Sequence, residues 1–432
     1  MKANTSMRRG KDARQSDRWE HEIVPVLLGG DLNCYSVARA FHEAYGVRSH
    51  VFGHYKLAVT AQSALTVRHP LPTGEEEAIA VLRAFAEEQR SERGAHALFL
   101  IGCTDEYAEL LIRRQTELSD RYLLPCPPAD VAQRLWNKAD FYALCRRYRI
   151  PVPQTFAFDL RGGRPPAVAD FETRNTGISY PAVLKPARSS LYWKHRFDGM
   201  KKAYVVADAA QAADVAAQIA AAGYPERLLL QEYIPGGDDH MYVLTAYFDR
   251  DGHLRCSCFG HVLLEEHTPC GIGNHAAILT EPEAPICFSL LSMLEEQGYR
   301  GFANFDMKYD ARRGRFCVFE VNLRQGRSNY YMTRTGLNLA QMLVADYMRD
   351  GICYPVKREE IYWHAVPHRI VSRYTGSAAA VREAEALLRA GQATDPYAYA
   401  YDLLHHPLRA LYLTEQRRRQ YRKYGEYCER VR

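Results

Sequence analysis

Ala303-Asn-Phe-Asp306-Met-Lys-Tyr309 and Phe316-Cys-Val-Phe-Glu320-Val-Asn322 are two runs with strand character, separated by the turn-rich Asp310-Ala-Arg-Arg-Gly314. Together they predict a β-hairpin. Side chains alternate faces along a strand. In the first run Ala303, Phe305, Met307 and Tyr309 share a face, and Asn304, Asp306 and Lys308 take the other. In the second run Cys317, Phe319 and Val321 share a face, with Glu320 and Asn322 opposite. Asp306, Glu320 and Asn322 then converge on one side of a small sheet. Hard oxygen donors with room for water and phosphate suit Mg²⁺. The same alternation also fits a half-exposed antiparallel pair with its polar residues outward. The continuation Leu323-Arg-Gln-Gly-Arg-Ser-Asn329 favours the first reading, because Arg324, Arg327 and Ser328 are suited to phosphate.

Upstream of the hairpin lies a strand-rich stretch. Its expected strands are Ala182–Lys185, Leu228–Tyr233, Met241–Phe248 and Leu254–His261, followed by the hairpin itself. Lys185 closes an apolar strand before Pro186 and can present a point charge to phosphate, although an end-of-strand lysine is also simply solvated. Gln231-Glu-Tyr-Ile-Pro-Gly-Gly-Asp-Asp239 runs from a strand into a turn with two carboxylates. It offers backbone groups to a base edge and a carboxylate to ribose hydroxyls, or it is a plain acidic turn. A helix is expected over Ala129–Tyr148, ending before Ile150-Pro-Val-Pro153.

The first part reads differently. Ile23-Val-Pro-Val-Leu-Leu-Gly-Gly30 and Ala97-Leu-Phe-Leu-Ile-Gly102 are buried strands, each followed by a helical pattern. Alternating strands and helices imply a covered parallel sheet. Ligands in such sheets bind beyond the strands' carboxyl ends. That singles out Asp31, Asn33, Thr104 and Asp105. Asp31 and Asp105 suit an ammonium group, and the alternative is that they cap the following helices. Beyond Gly336 helices return, Ala378–Ala390 being the clearest.

Length and composition bound these readings. The 432 residues suggest roughly three domains. With 47% hydrophobic and 25% charged residues, extended disorder, collagen and a small disulfide scaffold are excluded. No stretch approaches the ~20 apolar residues of a membrane span. Met1–Glu20 lacks the apolar core of a secretory signal, so a cytoplasmic protein is expected. Residues 1–20 carry +3 and residues 417–432 carry +5 of the total +5, leaving −3 on the body. That is not the footprint of nucleic-acid binding. The 11 scattered cysteines, without a CxxC, read as reduced thiols.

The segments in this order resemble the ATP-grasp superfamily over residues 22–350. They are most similar to the D-aspartate ligases of peptidoglycan assembly. Pro25-Val-Leu-Leu-Gly-Gly-Asp-Leu-Asn-Cys-Tyr35 is similar to their opening, and Phe319-Glu-Val-Asn-Leu-Arg-Gln-Gly-Arg-Ser-Asn-Tyr-Tyr331 to their metal-and-phosphate segment. The resemblance implies α/β and α+β architecture in four parts. These are a basic tail (1–20), a Rossmann-like pre-ATP-grasp domain (21–128), an ATP-grasp domain (129–350) and a helical C-terminal extension (351–432). It implies that Lys138 and Lys185 hold ATP phosphates and that Glu232 and Ile234 meet adenine through backbone groups. Asp238 or Asp239 would take the ribose. Asp306, Glu320 and Asn322 would hold Mg²⁺, with Mn²⁺ as a substitute, and Arg324 would steady a phosphorylated intermediate. Arg324, Arg327, Ser328 and His275 would suit substrate carboxylates.

The implied reaction joins the side-chain carboxylate of D-aspartate to an amino group of a peptidoglycan precursor peptide. Another amino-acid or peptide ligase, or a nucleotide-binding regulator without turnover, are the alternatives. One departure stands out. Where many ATP-grasp enzymes have a glycine-rich loop, Lys185 is followed by Pro-Ala-Arg-Ser-Ser190 and then by Lys201 and Lys202, with Gly199 the only glycine nearby.

Overall fold

The computed structural model describes residues 22–94, 97–162, 164–268, 271–348 and 358–428. The basic segment 1–20 and the expected boundary at 350 lie outside these residues.

The chain first builds a parallel sheet from β1 (Ile23–Leu28), β2 (Ser49–Gly53), β3 (Thr66–Pro70) and β4 (Ala97–Gly102), in the order β3-β2-β1-β4. Every residue of β1 and β4 is buried, as expected of strands covered on both faces. The helix Leu32–Tyr45 starts where Asp31 accepts the Cys34 N–H, and it stops at Gly46 in the left-handed conformation. Thr104, not Asp105, caps the helix Asp105–Arg113. Gly29 has φ +147°, and a Cβ there would meet the Cys103 Cβ at 3.2 Å. The turn after β1 therefore lies tight against the turn after β4.

A second sheet contains β5 (Thr155–Asp159), β6 (Ala182–Pro186), β7 (Tyr204–Val206) and β8 (Arg227–Glu232), antiparallel in the order β5-β8-β6-β7. The helix Ala209–Ala221 turns Ala212, Ala216 and Ile219 into the same small core as Leu184 and Leu230. The expected helix from Ala129 to Tyr148 is two helices, Ala129–Trp136 and Lys138–Arg147. Asn137 breaks it. Its side chain accepts the Ala139 N–H and donates to Glu226, while the Lys138 N–H leaves the helix for the Ala187 carbonyl.

The third sheet is the largest. Its strands are β9 (Met241–Phe248), β10 (Leu254–Glu265), β11 (His275–Glu281), β12 (Gly301–Asp310), β13 (Arg315–Asn322), β14 (Tyr362–His364) and β15 (Ala393–Thr394), in the order β13-β12-β9-β10-β11-β14-β15. The C-terminal region is mainly helical, yet β14 pairs with β11 and so extends this central sheet. One hydrophobic core runs from Leu27 and Phe99 of the first sheet through Tyr247, Tyr331 and Leu343 to Trp363 and Leu413. The first sheet and the central sheet are thereby held as one body. Among the described residues no helix is long and apolar enough to cross a membrane.

A buried ion pair fastens the C-terminal region to the first domain. Arg409 and Asp402 are both fully buried and lie 3.1 Å apart. Asp402 also accepts the Tyr35 hydroxyl at 2.9 Å and the Ala64 N–H at 2.6 Å. Arg409 donates to the carbonyls of Val59, Gln62 and Tyr397. Asp402→Ala strands a buried guanidinium. It should cost about 3–5 kcal/mol in chemical denaturation, far more than an exposed Asp→Ala change.

Candidate active site

The hairpin β12–β13 delivers its polar face as expected, with one correction. Asp306 pairs directly with Glu320, and Asn304 with Asn322. The register then shifts between Asp306 and Met307, so that Met307 faces Val318. Strict alternation would put Phe319 on the core face. The bulge at Phe319 gives that place to Val318, which is fully buried beside Met307 and Val321. The bulge turns Phe319 toward Lys185, whose Nζ lies 5.5 Å from its ring.

Two carboxylates meet here. Asp306 accepts from Asn322 at 3.1 Å and, more distantly, from Asn304 at 3.4 Å. Burial, with Glu320 as neighbour, raises the Asp306 carboxyl well above the usual range. Burial also works to raise Glu320. Lys138, Lys202 and Lys185 outweigh it and hold that carboxyl ionised below the usual range. Lys138 Nζ is 2.8 Å from Glu320 and donates to the Ser189 hydroxyl at 2.9 Å. Lys202 Nζ is 3.6 Å from Glu320. Lys185 donates to the Tyr142 hydroxyl at 2.9 Å, and burial lowers its ammonium to about 8.

Among the described residues there is no cluster of three His, Cys, Asp or Glu side chains arranged for a metal. The set at this hairpin is instead two carboxylates and an amide. It fits a hard divalent cation on its chemistry, because such an ion would relieve the repulsion that pushes Asp306 up. Three lysines converging on one glutamate leave room for more negative charge than Glu320 supplies, which suits a polyphosphate.

A cavity of about 700 Å³ opens over part of this cluster, with Asp306 and Lys185 outside its lining. Its lining joins Lys138, Lys202, Glu320 and Asn322 to Gly30, Asp31, Thr104 and Asp105 from the first sheet's carboxyl edge. The two regions singled out in the sequence thus share one space. Arg324 lies at the seam, its Nε 2.7 Å from Asp105.

The segment after Asn322 is fixed by the first domain. Asn33, fully buried, donates to the carbonyls of Cys103 and Gln325 at 2.7 and 3.0 Å and accepts from Asn329 at 2.8 Å. Its amide is consumed by this linkage, which makes Asn33 a positioning residue rather than a substrate contact. A Cβ on Gly326 would lie 2.3 Å from Asn304 Oδ1, so only glycine fits that approach to the hairpin. Arg327 pairs with Glu266 at 2.9 Å, and Ser328 is buried.

The expected adenine and ribose residues lie outside that cavity's lining. The Glu232 N–H donates to the Gln154 carbonyl, and its carboxylate takes Arg313 at 2.7 Å. Ile234 is buried. Asp238 accepts the Glu265 N–H at 2.8 Å and faces His267 at 2.7 Å, while the Asp239 carbonyl meets His261 at 2.7 Å. His275 is buried between Glu265 (3.6 Å) and Asp306 (3.7 Å). Burial lowers its imidazole to about 4, which leaves it neutral, and burial raises Glu265 to about 8. Glu265 and Tyr142 carry no sequence signal. One ends a buried strand, and the other sits in an apolar helical pattern.

No family model matches the chain. The D-aspartate ligase of Enterococcus faecium (strain Aus0004) is 38% identical over 330 residues, 75% of this chain and 76% of that protein. Among solved structures, an L-amino acid ligase from Bacillus licheniformis has a TM-score of 0.52 at 15% identity, covering 75% of this chain and 73% of its own. The biotin carboxylase domain of 2-oxoglutarate carboxylase from Hydrogenobacter thermophilus, in complex with MgADP, ADP and bicarbonate, has a TM-score of 0.54 at 14% identity over 78% and 73%. These two likenesses carry the fold. Fold and site define an ATP-dependent carboxylate–amine ligase of the ATP-grasp class. Within that class, the chain belongs to the D-aspartate ligase family.

Asp306 gives this site a stability signature. Its folded-state pKa lies above the unfolded value, so folding loses stability as pH rises from about 4 through the raised value. Asp306→Asn should reduce that slope to the part Glu265 contributes and raise the melting temperature of metal-free protein at pH 7, while abolishing any Mg²⁺-dependent gain. An unchanged slope would mean that Asp306 is not the strained carboxylate.

Proposed function

We propose that the protein joins the side-chain carboxylate of D-aspartate to an amino group of a peptidoglycan precursor peptide, consuming ATP with Mg²⁺, for which Mn²⁺ would substitute. The observation that carries this reading is the cavity lined both by Lys138, Lys202 and Glu320 and by the Asp31/Asp105 edge, with Lys185 behind Glu320 adding to its charge balance. Membership of the D-aspartate ligase family supports D-aspartate as the amino acid.

A carboxylate is a poor acyl donor because its oxygen leaves badly. Transfer of the ATP γ-phosphoryl to it forms an acylphosphate and ADP. The amine nitrogen then attacks the acyl carbon, the C–O bond to phosphate breaks, and the amide forms with loss of a proton. Mg²⁺ held by Asp306, Glu320 and Asn322 would supply charge neutralisation on the phosphates. Lys138, Lys185 and Lys202 would bind the triphosphate oxygens in a space sheltered from water, where preorganised charges act most strongly. Arg324, braced by Asp105, would hold the phosphorylated acid. Glu232 and Ile234 would meet adenine, and Asp238 or Asp239 the ribose. Asp31 would receive the ammonium group of the amine acceptor.

The test is ADP release with ATP, Mg²⁺ and a panel of D- and L-amino acids, with and without precursor, the product identified by mass. Release that requires both D-aspartate and an amine is expected. Glu320→Ala should remove it while the protein stays folded, and near-normal turnover in that variant would sink the assignment.

Lys185 gives a pH test. It is charged below about pH 8 and neutral above, so kcat/KM for ATP should fall up to tenfold per pH unit above 8. Lys185→Arg, charged throughout, should flatten that limb even if its rate is lower.

A further inference from the structure

A second cavity of about 600 Å³ lies between the first domain and the C-terminal helix Arg409–Tyr427. It shares Asp31 and Leu57 with the cavity over Glu320, so the two spaces meet at Asp31. Its rim is apolar and exposed. Leu57, Leu408 and Leu411 line it at 43, 49 and 66% exposure. Its far wall carries Arg419 and Lys423 on successive turns of the helix, both exposed. Glu415 answers Arg419 at 2.8 Å. The floor holds Asp31 and Arg327, whose Nη1 is buried without a hydrogen-bond partner although Nη2 pairs with Glu266.

The layout is graded: a carboxylate at the junction with the reaction cavity, apolar sides, and cations at the outer end. The Asp31 cap bond uses Oδ1. An occupant that matches has an amine leading, an apolar body and an acidic end trailing.

We infer that this groove is the docking site of the amine acceptor, a peptide whose amino group passes Asp31 into the reaction cavity while its acidic end rests on Arg419 and Lys423. The inference rests on the ligase reading above and assigns the C-terminal helix a role in acceptor recognition. It separates the two substrates in space. The acid is activated under the lysines, and the acceptor arrives from the opposite side of Asp31 without crossing the nucleotide.

Hydroxylamine separates the inference from the reading it rests on. It is small enough to need no groove, and its nitrogen attacks the acyl carbon of an acylphosphate, displacing phosphate and leaving a hydroxamate. The full chain is assayed with ATP, Mg²⁺ and D-aspartate against three acceptors. These are hydroxylamine, a synthetic lysine-containing pentapeptide acid, and the same peptide as its C-terminal amide.

Arg419→Glu/Lys423→Glu, two exposed changes checked for an unaltered melting temperature, should raise KM for the peptide acid at least tenfold. It should narrow the preference for acid over amide and leave hydroxamate formation unchanged. Leu411→Asp should likewise raise the peptide KM alone. Hydroxamate formation with an unaltered peptide KM in both variants overturns the groove assignment and leaves the ligase intact. So does a wild type that makes hydroxamate yet accepts neither peptide. A wild type that makes no hydroxamate with any amino acid overturns the ligase reading, and the groove assignment with it.

Discussion

Two carboxylates, Asp306 and Glu320, face each other across one rung of a β-hairpin, and the site is arranged around what balances them. In a low-dielectric interior two such charges do not both ionise without compensation. The protein supplies half of it. Lys138, Lys185 and Lys202, drawn from a helix, a strand end and a loop, converge on Glu320 and keep it charged. Asp306 has the Asn322 and Asn304 amides and the neutral His275 nearest it, with Lys202 and Arg324 acting more weakly, and burial beside Glu320 raises its carboxyl. The asymmetry defines what the site lacks: a cation near Asp306 and an anion near the lysines. A metal–polyphosphate complex provides both at once, so each partner would complete the other's site.

Holding this arrangement requires three separately folded pieces to keep register. The lysines come largely from the second sheet and the helix before it, the carboxylates from the central sheet, and the Asp31 and Asp105 edge from the first. Asn33 ties the last two. Its amide bonds Cys103, Gln325 and Asn329 together at distances of 2.7 to 3.0 Å, with no water access. The segment carrying Arg324 therefore cannot move independently of the first sheet. The second sheet has its own small core, centred on Leu184, Leu228 and Leu230. Its Lys185 reaches the hairpin through Tyr142, whose hydroxyl donates to the Phe319 carbonyl at 2.5 Å. Leu229 of β8 also packs in the apolar core of Met307 and Val318, so packing as well as these polar bridges joins the lysine-bearing sheet to the hairpin.

Periodicity carried most of this into the sequence. The six expected strands from Ala182 to Asn322 are all present, displaced at their ends by a few residues at most, because alternation and turn residues agree there. The strands that were not foreseen are instructive. β5 has three exposed positions out of five, β7 is three residues long, and β14 and β15 are shorter than the pattern needs to declare itself, while β3 and the seven-residue, mostly buried β11 were missed as well. Each exists because a partner strand completes it. The break at Asn137 and the bulge at Phe319 are tertiary in the same sense. Asn137 trades a helical bond for Ala187 and Glu226, and Phe319 yields its core position to Val318. Glu265 was hidden because a strand-end glutamate looks solvated until the fold encloses it, whereas Lys202 was named in the sequence but not as a partner of Glu320. Asn33 was legible as a residue in the right place, but not as a brace, because its partners lie up to 296 positions away.

The C-terminal region shows how a peripheral element comes to bear on a central one. β14 lengthens the central sheet beyond β11, and the helix Arg409–Tyr427 is drawn back across the first domain by Arg409, whose charge is buried against Asp402. A buried pair of this kind is weak as a source of net stability, since desolvating both ions offsets much of their attraction. Its geometric consequence is larger. Arg409 donates to carbonyls of Val59, Gln62 and Tyr397, so one side chain sets the distance between the helix and the loop carrying Leu57 and Val59. Apolar packing alone would allow that helix to slide, because its surface is largely polar and only Arg409, Leu413 and Tyr424 are buried. The pair fixes its position, and with it the width of the space that opens at Asp31. The same aspartate that caps the first helix thus stands where two cavities meet, carried by the first sheet and faced across the second cavity by a helix nearly 400 residues later in the chain.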